Sequence, residues 1–442
     1  MQYKKGQKIE VSIEKLAFGG RGIGHYDNRI VFVPDTVPGD LVECSLSRIK
    51  PKFFEAKLTK IKKPSDKRIK PKCKHFDTCG GCTLQYLPYK TQLAIKESQV
   101  REALEHIGGF RNAKVEPIIG CDEPWFYRNK MEFSFYKNMV GLHPKGYRYE
   151  VFDLEECFLE STEIAEILVA VRKIIKDGLL SIIIKEGKRT NERLINLIYS
   201  DAEINRDEFV KLMKPFATSI YITQKIAKRG QKTQFVEEHL YGKKTLTEKM
   251  CGLTFEILPQ AFFQPNTLQA EKLYKIVADL GEIGPKDIVF DLFCGTGTIG
   301  MTLAHKAKMV FGADTNKSAI ENAQQNAKLN KIHNIEFYAG DAYKTIKELD
   351  IKPDTVIVDP PRCGLSKKLT KKLAKLKPKR IVYVSCNPTT QARDLQILKK
   401  GGYKLLLTQP VDMAPHTSHI ETVAKLIYNR SWSRFINLIK RI

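Results

Sequence analysis

Hydrophobic and polar positions follow three different patterns along this chain. From Lys8 to about Ile61 apolar residues alternate with polar ones: Ile9, Val11 and Ile13 mark one face, and Ile30–Val33 and Leu41–Cys44 are further short runs. The turn-rich stretches Gly19–Gly24 and Pro34–Asp40 separate them. The pattern predicts about five short strands closing into a small OB-like barrel. A helical period from Tyr89 to Ile107 follows, ended by Gly108 and Gly109. From about Thr162 to Ile257 the pattern is mixed, with Leu194–Tyr199 and Ile220–Thr223 as core strands. From Asp287 onward continuous apolar runs alternate with helical periods. The runs are Ile288–Phe293, Met309–Ala313, Thr355–Val358 and Arg380–Val384. Such runs are strands buried on both faces of a parallel sheet.

The expected fold is therefore a multidomain α/β protein. Residues 1–64 form the OB-like β-barrel, 65–258 a central α+β domain, and 259–442 a C-terminal Rossmann-like domain. In open α/β sheets ligands bind at the carboxyl ends of the strands, and chemistry-bearing residues stand at those ends. Asp291 closes the first run, and Gly295, Gly297 and Gly300 open a helix after it. Asp314 closes the second run, 23 positions on (314 − 291). The glycines fit a dinucleotide loop, so a nicotinamide dehydrogenase is one reading. Acids at Asp291, Asp314, Asp341 and Asp359 favour S-adenosylmethionine, whose amino-acid end is cationic. Asp314 and Asp341 could each be a helix cap alone; four such acids together are poorly explained that way. The Gly19–Gly24 cluster is no dinucleotide loop, because strand-like sequence follows it.

Ser385-Cys386-Asn387-Pro388 follows the last run, with Pro388 stopping the strand and a helix expected from about Thr390. A lone cysteine is usually small buried packing. Here Asp359-Pro360-Pro361-Arg362 ends the preceding run, and a loop with His416, His419 and Glu421 leads into a final strand. Each of those three is a candidate base. Arg362 stands where amino-group methyltransferases carry an aromatic residue, which argues against that chemistry.

Charge adds a partner. The net charge is +24, from 74 basic and 50 acidic residues, which suggests a polyanion, and RNA first. Arg48–Lys74 holds twelve Lys or Arg against Glu55 and Asp66, read as a phosphate-contacting surface beside the barrel. Ser366–Arg380 holds eight with no acid, read first as a solvated helix face and second as an RNA contact. No apolar run approaches a membrane span, and a cytoplasmic monomer without membrane contact is expected. Ten cysteines in that compartment point to metal or catalysis, not disulfides. Cys73, Cys79 and Cys82 need a fourth ligand, with Cys44, Cys121 and Cys157 as candidates. Two residues between cysteines suits zinc as well as an iron–sulfur cluster.

Gly19–Asp40 resembles the TRAM domain, an RNA-binding module. Cys73-x5-Cys79-Gly-Gly-Cys82-x-Leu84-Gln85, Asp359-Pro-Pro-Arg362, Ser385-Cys386-Asn387-Pro388 and Pro415-His-Thr-x-His-Ile-Glu421 together resemble the RNA (uracil-5-)-methyltransferase family, most closely its 23S ribosomal RNA branch. The resemblance covers nearly the whole chain. It implies methyl transfer from S-adenosylmethionine to carbon 5 of a uridine in RNA, with Cys386 as nucleophile, Glu421 as base and Asp359 orienting the uracil. It implies cofactor contacts from Gln264, Phe293, Thr298, Asp314, Asp341 and Asp359. It also implies a 4Fe–4S cluster on Cys73, Cys79, Cys82 and Cys157, with zinc as runner-up, in a central domain whose segment 89–119 packs on the catalytic domain. The family often carries Asn at Thr298, Glu at Asp314 and an aromatic residue at Ala414. Transfer-RNA uracil-5 methylation, and RNA cytosine-5 methylation recruiting Cys363, are the alternative activities. A non-catalytic iron–sulfur RNA-binding protein is a third reading.

Overall fold

The computed structural model describes residues 3–429; positions 430–442 of the expected catalytic domain lie outside the described residues. The barrel region contains β1 (Lys8–Ser12), β2 (Lys15–Leu16), β3 (Gly22–Tyr26), β4 (Arg29–Val33), β5 (Leu41–Ile49) and β6 (Phe53–Lys63), in the order β1-β5-β6-β4-β3-β2. There are six strands here where five were expected. Much of the basic run Arg48–Lys74 is itself strand: Phe54 and Ala56 point into the core beside Val31 and Val42, while Lys57, Lys60, Lys62 and Lys63 face outward. Alternation put this stretch in the sheet despite its charge.

Next come α1 (Tyr89–Glu102) and a single π-helical turn, Ala103–Ile107. The central sheet is built from β7 (Lys130–Tyr136), β8 (Met139–Leu142), β9 (Phe152–Asp153), β10 (Leu179–Glu186), β11 (Arg193–Tyr199), β12 (Ser219–Ile226) and β13 (Gln234–Gly242). Its order is β13-β12-β11-β10-β7-β8-β9. α2 (Ile164–Arg172) and α3 (Arg206–Met213) bury Ile167, Leu168, Phe209 and Met213 against it. The hairpin β14 (Leu246–Met250) and β15 (Leu253–Ile257) packs on the catalytic domain. Asn326 Nδ2 donates to the Glu256 carbonyl at 3.1 Å, and Asn330 Nδ2 to the Thr254 carbonyl at 2.7 Å. The hairpin is also tied to the central domain: Glu192 accepts the Thr247 N–H at 2.9 Å and Glu248 accepts the Lys188 N–H at 2.8 Å.

The C-terminal domain runs α4 (Thr267–Gly281), β16 (Ile288–Leu292), α5 (Thr298–Ala304), β17 (Met309–Asp314), α6 (Lys317–Leu329), β18 (Ile335–Ala339), α7 (Ala342–Leu349), β19 (Thr355–Val358), α8 (Lys367–Leu376), β20 (Arg380–Ser385), α9 (Pro388–Lys400), β21 (Tyr403–Val411) and β22 (Glu421–Tyr428). The sheet order is β18-β17-β16-β19-β20-β22-β21. β16 to β20 are mutually parallel, and β22 runs antiparallel to β20 and β21. α4, α5 and α6 cover one face, and α7, α8 and α9 the other. Side chains of Asn266, Asn316, Asp341, Ser366 and Asn387 each accept a backbone N–H of the helix they precede. The last of these corrects the sequence reading: α9 begins at Pro388, not near Thr390. Proline at the first helical position lacks only an N–H that would have no partner there.

α1 joins the domains. Val100 and Leu104 enter the same core as Leu395 and Leu398 of α9, and Gln99 Nε2 donates to the Leu16 and Ala17 carbonyls of the barrel at 3.0 and 3.1 Å. The chain beyond it pairs along β21, with Glu116 N–H on the Thr408 carbonyl at 3.0 Å and Ile119 N–H on the Pro410 carbonyl at 3.0 Å.

Candidate active site

The sheet order turns between β16 and β19, so a crevice opens at their carboxyl ends. Asp291 is fully buried there. Its Oδ2 accepts the Gly300 N–H at 2.8 Å. A Cβ on Gly300 would come within 2.9 Å of that oxygen, so only glycine lets the helix start approach. Burial, with Asp359 and Asp314 nearby, lifts the Asp291 carboxyl to about 7. Phe293 follows β16 with a left-handed φ of 64°. Asp314 Oδ2 accepts the Gly295 N–H at 3.0 Å and its Oδ1 the Asn316 N–H at 2.8 Å, holding the glycine loop to the end of β17. Buried Thr298 shares a hydrogen bond of 2.9 Å with the Tyr274 hydroxyl. The Gln264 carbonyl accepts Asn129 Nδ2 at 2.8 Å, and its half-buried side chain makes no hydrogen bond within the described residues. Asp341 is exposed and caps α7, accepting the Tyr343 and Lys344 N–H groups at 3.1 Å each.

On the β19 side of the crevice four groups converge. Asp359 follows β19, and Cys386 follows β20. Thr422 pairs with Ser385 in the antiparallel ladder, so Glu421 falls opposite Cys386, one step beyond the last pair. Sheet register thus assembles residues far apart in sequence. Burial lifts the Asp359 carboxyl to about 7. Burial and the facing Asp359 push Glu421 well above the ordinary carboxylate range, while Arg362 opposes them. Burial, then Glu421 and Asp359, raises the Cys386 thiol to about 11, again with Arg362 opposing. Arg362 is fixed from two sides: its carbonyl accepts Asn387 Nδ2 at 3.1 Å, and its guanidinium meets the His419 ring nitrogens at 3.2 and 3.3 Å. Cys363 is exposed on the same loop, its carbonyl held by Arg393 at 2.9 Å.

Of the three candidate bases, only Glu421 faces the thiol. His419 is exposed and faces Arg362. His416 is a buried brace with φ 64°. Its ring stacks on Trp125 at 3.7 Å, its Nδ1 meets Gln92 Nε2 at 3.2 Å, and its carbonyl accepts the Thr83 and Leu84 N–H groups at 2.9 and 3.0 Å. Burial and then Lys96 push the ring down to about 4, so it stays neutral.

Residues that sequence reasoning missed hold this loop. Lys96 of α1 and Asp412 form a buried ion pair at 2.6 Å. Lys96 also donates to the Ala414 carbonyl at 3.1 Å, the Tyr89 hydroxyl to Asp412 Oδ2 at 2.9 Å, and the Tyr127 hydroxyl to the Pro415 carbonyl at 3.1 Å. Lys96 and Asp412 lie 316 positions apart. A charged residue on the buried face of α1 is the one sequence signal that could have found the pair.

Cys73, Cys79, Cys82 and Cys157 line one cavity with Gln85, Arg128 and Phe158. Cys44 lies in the barrel core, and the Cys121 thiol donates to the Glu123 carbonyl at 3.1 Å. Burial raises Cys82 to about 12 and Cys157 to about 11. Among the described residues no three of these side chains stand at metal-holding geometry, so the structure brings the four thiols to one cavity without arranging them as a ligand set.

Comparison with known proteins agrees with this geometry. Residues 88–428 match the family model described as tRNA (Uracil-5-)-methyltransferase, and residues 2–59 match the TRAM domain. The chain is 36% identical to an uncharacterized RNA methyltransferase of Bacteroides thetaiotaomicron, over 93% of this chain and 99% of that protein. It is 34% identical to one of Clostridium tetani, over 96% and 97%. The crystal structure of Pyrococcus abyssi tRNA (uracil-54, C5)-methyltransferase in complex with S-adenosyl-L-homocysteine matches with a TM-score of 0.75 at 29% identity, covering 95% of this chain and 100% of that one.

Proposed function

The chain belongs to the tRNA (uracil-5-)-methyltransferase family, and we propose that it methylates carbon 5 of a specific uridine in RNA through a covalent adduct on Cys386. The observation that carries this reading is the meeting of Cys386, Glu421, Asp359 and Arg362 at adjoining strand ends.

Carbon 5 of uracil is a weak nucleophile. Addition of the Cys386 sulfur at carbon 6 makes carbon 5 an enolate carbon, and cysteine is both a good nucleophile and a good leaving group. S-adenosylmethionine supplies the electrophilic methyl that this carbon takes. Glu421 then removes the carbon 5 proton, the carbon–sulfur bond breaks, and the thiolate leaves. Burial and Asp359 make Glu421 a stronger base than a free carboxylate. Asp359 orients the uracil, and Arg362 offsets the negative charge of the trio. Asp314, Asp341 and Asp359, with Phe293, Thr298 and Gln264, would hold the cofactor, and Asp291 would join them; the orphaned Oδ1 of Asp291 supports this, because it is buried without a partner. A uridine in folded RNA must leave its stack to reach Cys386.

The four-cysteine cavity is read as the seat of a 4Fe–4S cluster, with zinc second. Four thiols, two of them buried and two half-buried, suit either chemically, and the group would brace the loop whose Thr83 and Leu84 hold His416. The ultraviolet–visible spectrum of anaerobically purified protein separates a brown cluster from colourless zinc. The target is read as 23S ribosomal RNA, from the motif resemblance; likeness to the Pyrococcus abyssi enzyme favours transfer RNA as the second reading.

The test is incubation of RNA from a strain lacking the protein with enzyme and labelled S-adenosylmethionine, followed by digestion to nucleosides. 5-Methyluridine is expected, and its position assigns the RNA; 5-methylcytidine would overturn the reading. Glu421→Ala should accumulate an RNA adduct that survives denaturing gels.

A further inference from the structure

The loop carrying Arg362 runs into α8, and that helix is charged in a way that its own stability does not explain. Leu365, Leu369 and Leu373 are buried. Lys367, Lys368, Lys371 and Lys375 are exposed, with Lys372 half-buried at the edge of the stripe. Lys367, Lys371 and Lys375 stand four apart, as do Lys368 and Lys372. Like charges at that spacing destabilise a helix. Lys367 and Lys368 also sit in the first turn, which contains no acid, where the helix dipole disfavours cations. Among the described residues none of the five forms an ion pair, and Lys368 instead lies 4.1 Å from the Tyr343 ring centroid. By contrast, α1 pairs Arg101 with Glu97 and α6 pairs Lys317 with Glu321 within the helix. A solvated face needs charge, but it has no need of a single sign at every turn.

The ladder begins at the catalytic crevice. Its leading loop is tied to the residue after Cys386 through Asn387 and the Arg362 carbonyl, and Leu365 N–H donates to Asp394 Oδ2 at 2.8 Å, locking the turn into α8. From Lys367 to Lys375 it extends about 12 Å along the axis (~1.5 Å per residue). Lysines roughly 6 Å apart match consecutive phosphates of an extended strand better than any compact anion.

We propose that the outer face of α8 is a phosphate track that carries the single-stranded RNA flanking the target nucleotide away from Cys386. This rests on the RNA reading above but names a separate surface. A backbone track of this kind is blind to base sequence and sensitive to salt.

The experiment compares the full-length protein with Lys367→Gln/Lys371→Gln/Lys375→Gln. Binding of fluorescein-labelled oligouridylate is followed by anisotropy from 50 to 200 mM salt, together with thermal unfolding and methyl transfer over a range of RNA concentrations up to saturation. Three lost contacts should lower the salt slope by about 2 (~0.7 each), so the wild type should lose roughly 18-fold more affinity than the variant over that range. The variant's Tm should be unchanged or higher, and KM for RNA should rise with kcat retained. An unchanged slope with an unchanged KM overturns the proposal and returns α8 to a solvated face. Should the wild type bind oligouridylate but methylate no RNA, the slope comparison still decides the track, and only the activity reading falls. The charge-preserving variant Lys367→Arg/Lys371→Arg/Lys375→Arg should keep the wild-type slope; a loss there also counts against a backbone track.

Discussion

Two regions of this molecule bury ionisable side chains, and they do so by different means. At the carboxyl edge of the catalytic sheet, Asp291, Asp359, Cys386 and Glu421 are set by strand register, and each is fixed to within a residue by the ladder it ends. In the central domain, Cys73, Cys79, Cys82 and Cys157 come together from irregular loops that no ladder aligns. The first arrangement is aligned by backbone ladders, with Arg362 and the loop before Glu421 fixed by side-chain hydrogen bonds. The second gathers thiols without a ligand geometry among the described residues. Side chains placed on strand ends are aligned by the ladders beside them; side chains placed on irregular loops are not.

The sharpest test exchanges one cysteine in each region. Cys386→Ala should lower methyl transfer by at least about a thousandfold and leave thermal stability within a degree or two. Cys157→Ala should do the reverse: it should lower unfolding stability by about 2 kcal/mol or more, while transfer per folded molecule falls less than about tenfold. Tritiated methyl incorporation and urea unfolding measure both. Equal loss of transfer in the two variants would remove the distinction.

Next in size is the contact that fastens the two regions together. Lys96→Met strands Asp412, which is fully buried, and should cost about 3–5 kcal/mol. Lys96→Met/Asp412→Leu should recover much of it in urea unfolding, since an apolar pair needs no compensation. Because Asp412 also accepts the Ala414 N–H at 3.2 Å on the way to Glu421, the double variant should remain slow even where it is folded. Normal turnover would show that the loop holds its place without the ion pair.

What the sequence made legible follows the same division. The parallel sheet, its acid-tipped strands and Cys386 could be read because each strand announces itself locally by an unbroken apolar run. Glu421 reads in sequence as part of the loop before the final strand, whereas it is that strand's first residue, and its position opposite Cys386 depends on β22 inserting antiparallel between β20 and β21, which no local pattern encodes. By position His416 and Glu421 look alike as bases; the stacking on Trp125 and the bond to Gln92 turn His416 into a brace, and strand register sets Glu421 opposite Cys386. That the hairpin β14–β15 bonds to both domains was not legible, because Asn326 and Asn330, which hold it on the catalytic side, look in sequence like an ordinary polar helix face. Lys96 showed only as a charge on the buried face of α1, because its partner lies in another domain.

The raised carboxyls give the third test. Asp359 titrates in the folded protein at about 7, against an ordinary 3.8. The folded state therefore holds a proton that the unfolded chain releases. The stability this contributes is complete below about pH 4, declines as pH rises toward 7, and is gone above it. Asp359→Asn should abolish that decline, gaining on the order of 2 kcal/mol relative to wild type at pH 8 and little at pH 4, with the site's partial solvent access allowed for. It should also shift the acid limb of kcat/KM to lower pH, since Glu421 loses its repelling neighbour. Parallel stability profiles for the two proteins would show that the carboxyls do not share the crevice's field.

The smallest effect concerns Asp341, where the helix-cap and cofactor readings meet on one side chain. Its Oδ1 accepts two backbone N–H groups of α7, so capping alone accounts for its position. The second carboxylate oxygen makes no hydrogen bond among the described residues and is left for a ligand. Asparagine keeps a capping oxygen, and alanine keeps none. Asp341→Ala should therefore cost about 1 kcal/mol of stability, and Asp341→Asn only a few tenths. If the free oxygen accepts a hydrogen bond from the cofactor, both variants should weaken S-adenosylmethionine by about fivefold in calorimetric titration, the equivalent of ~1 kcal/mol. Asparagine then separates the two roles, because its amide can cap while offering the cofactor a donor where an acceptor is wanted. Full affinity in Asp341→Asn would return this acid to the cap alone and confine the cofactor's acidic contacts to Asp291, Asp314 and Asp359.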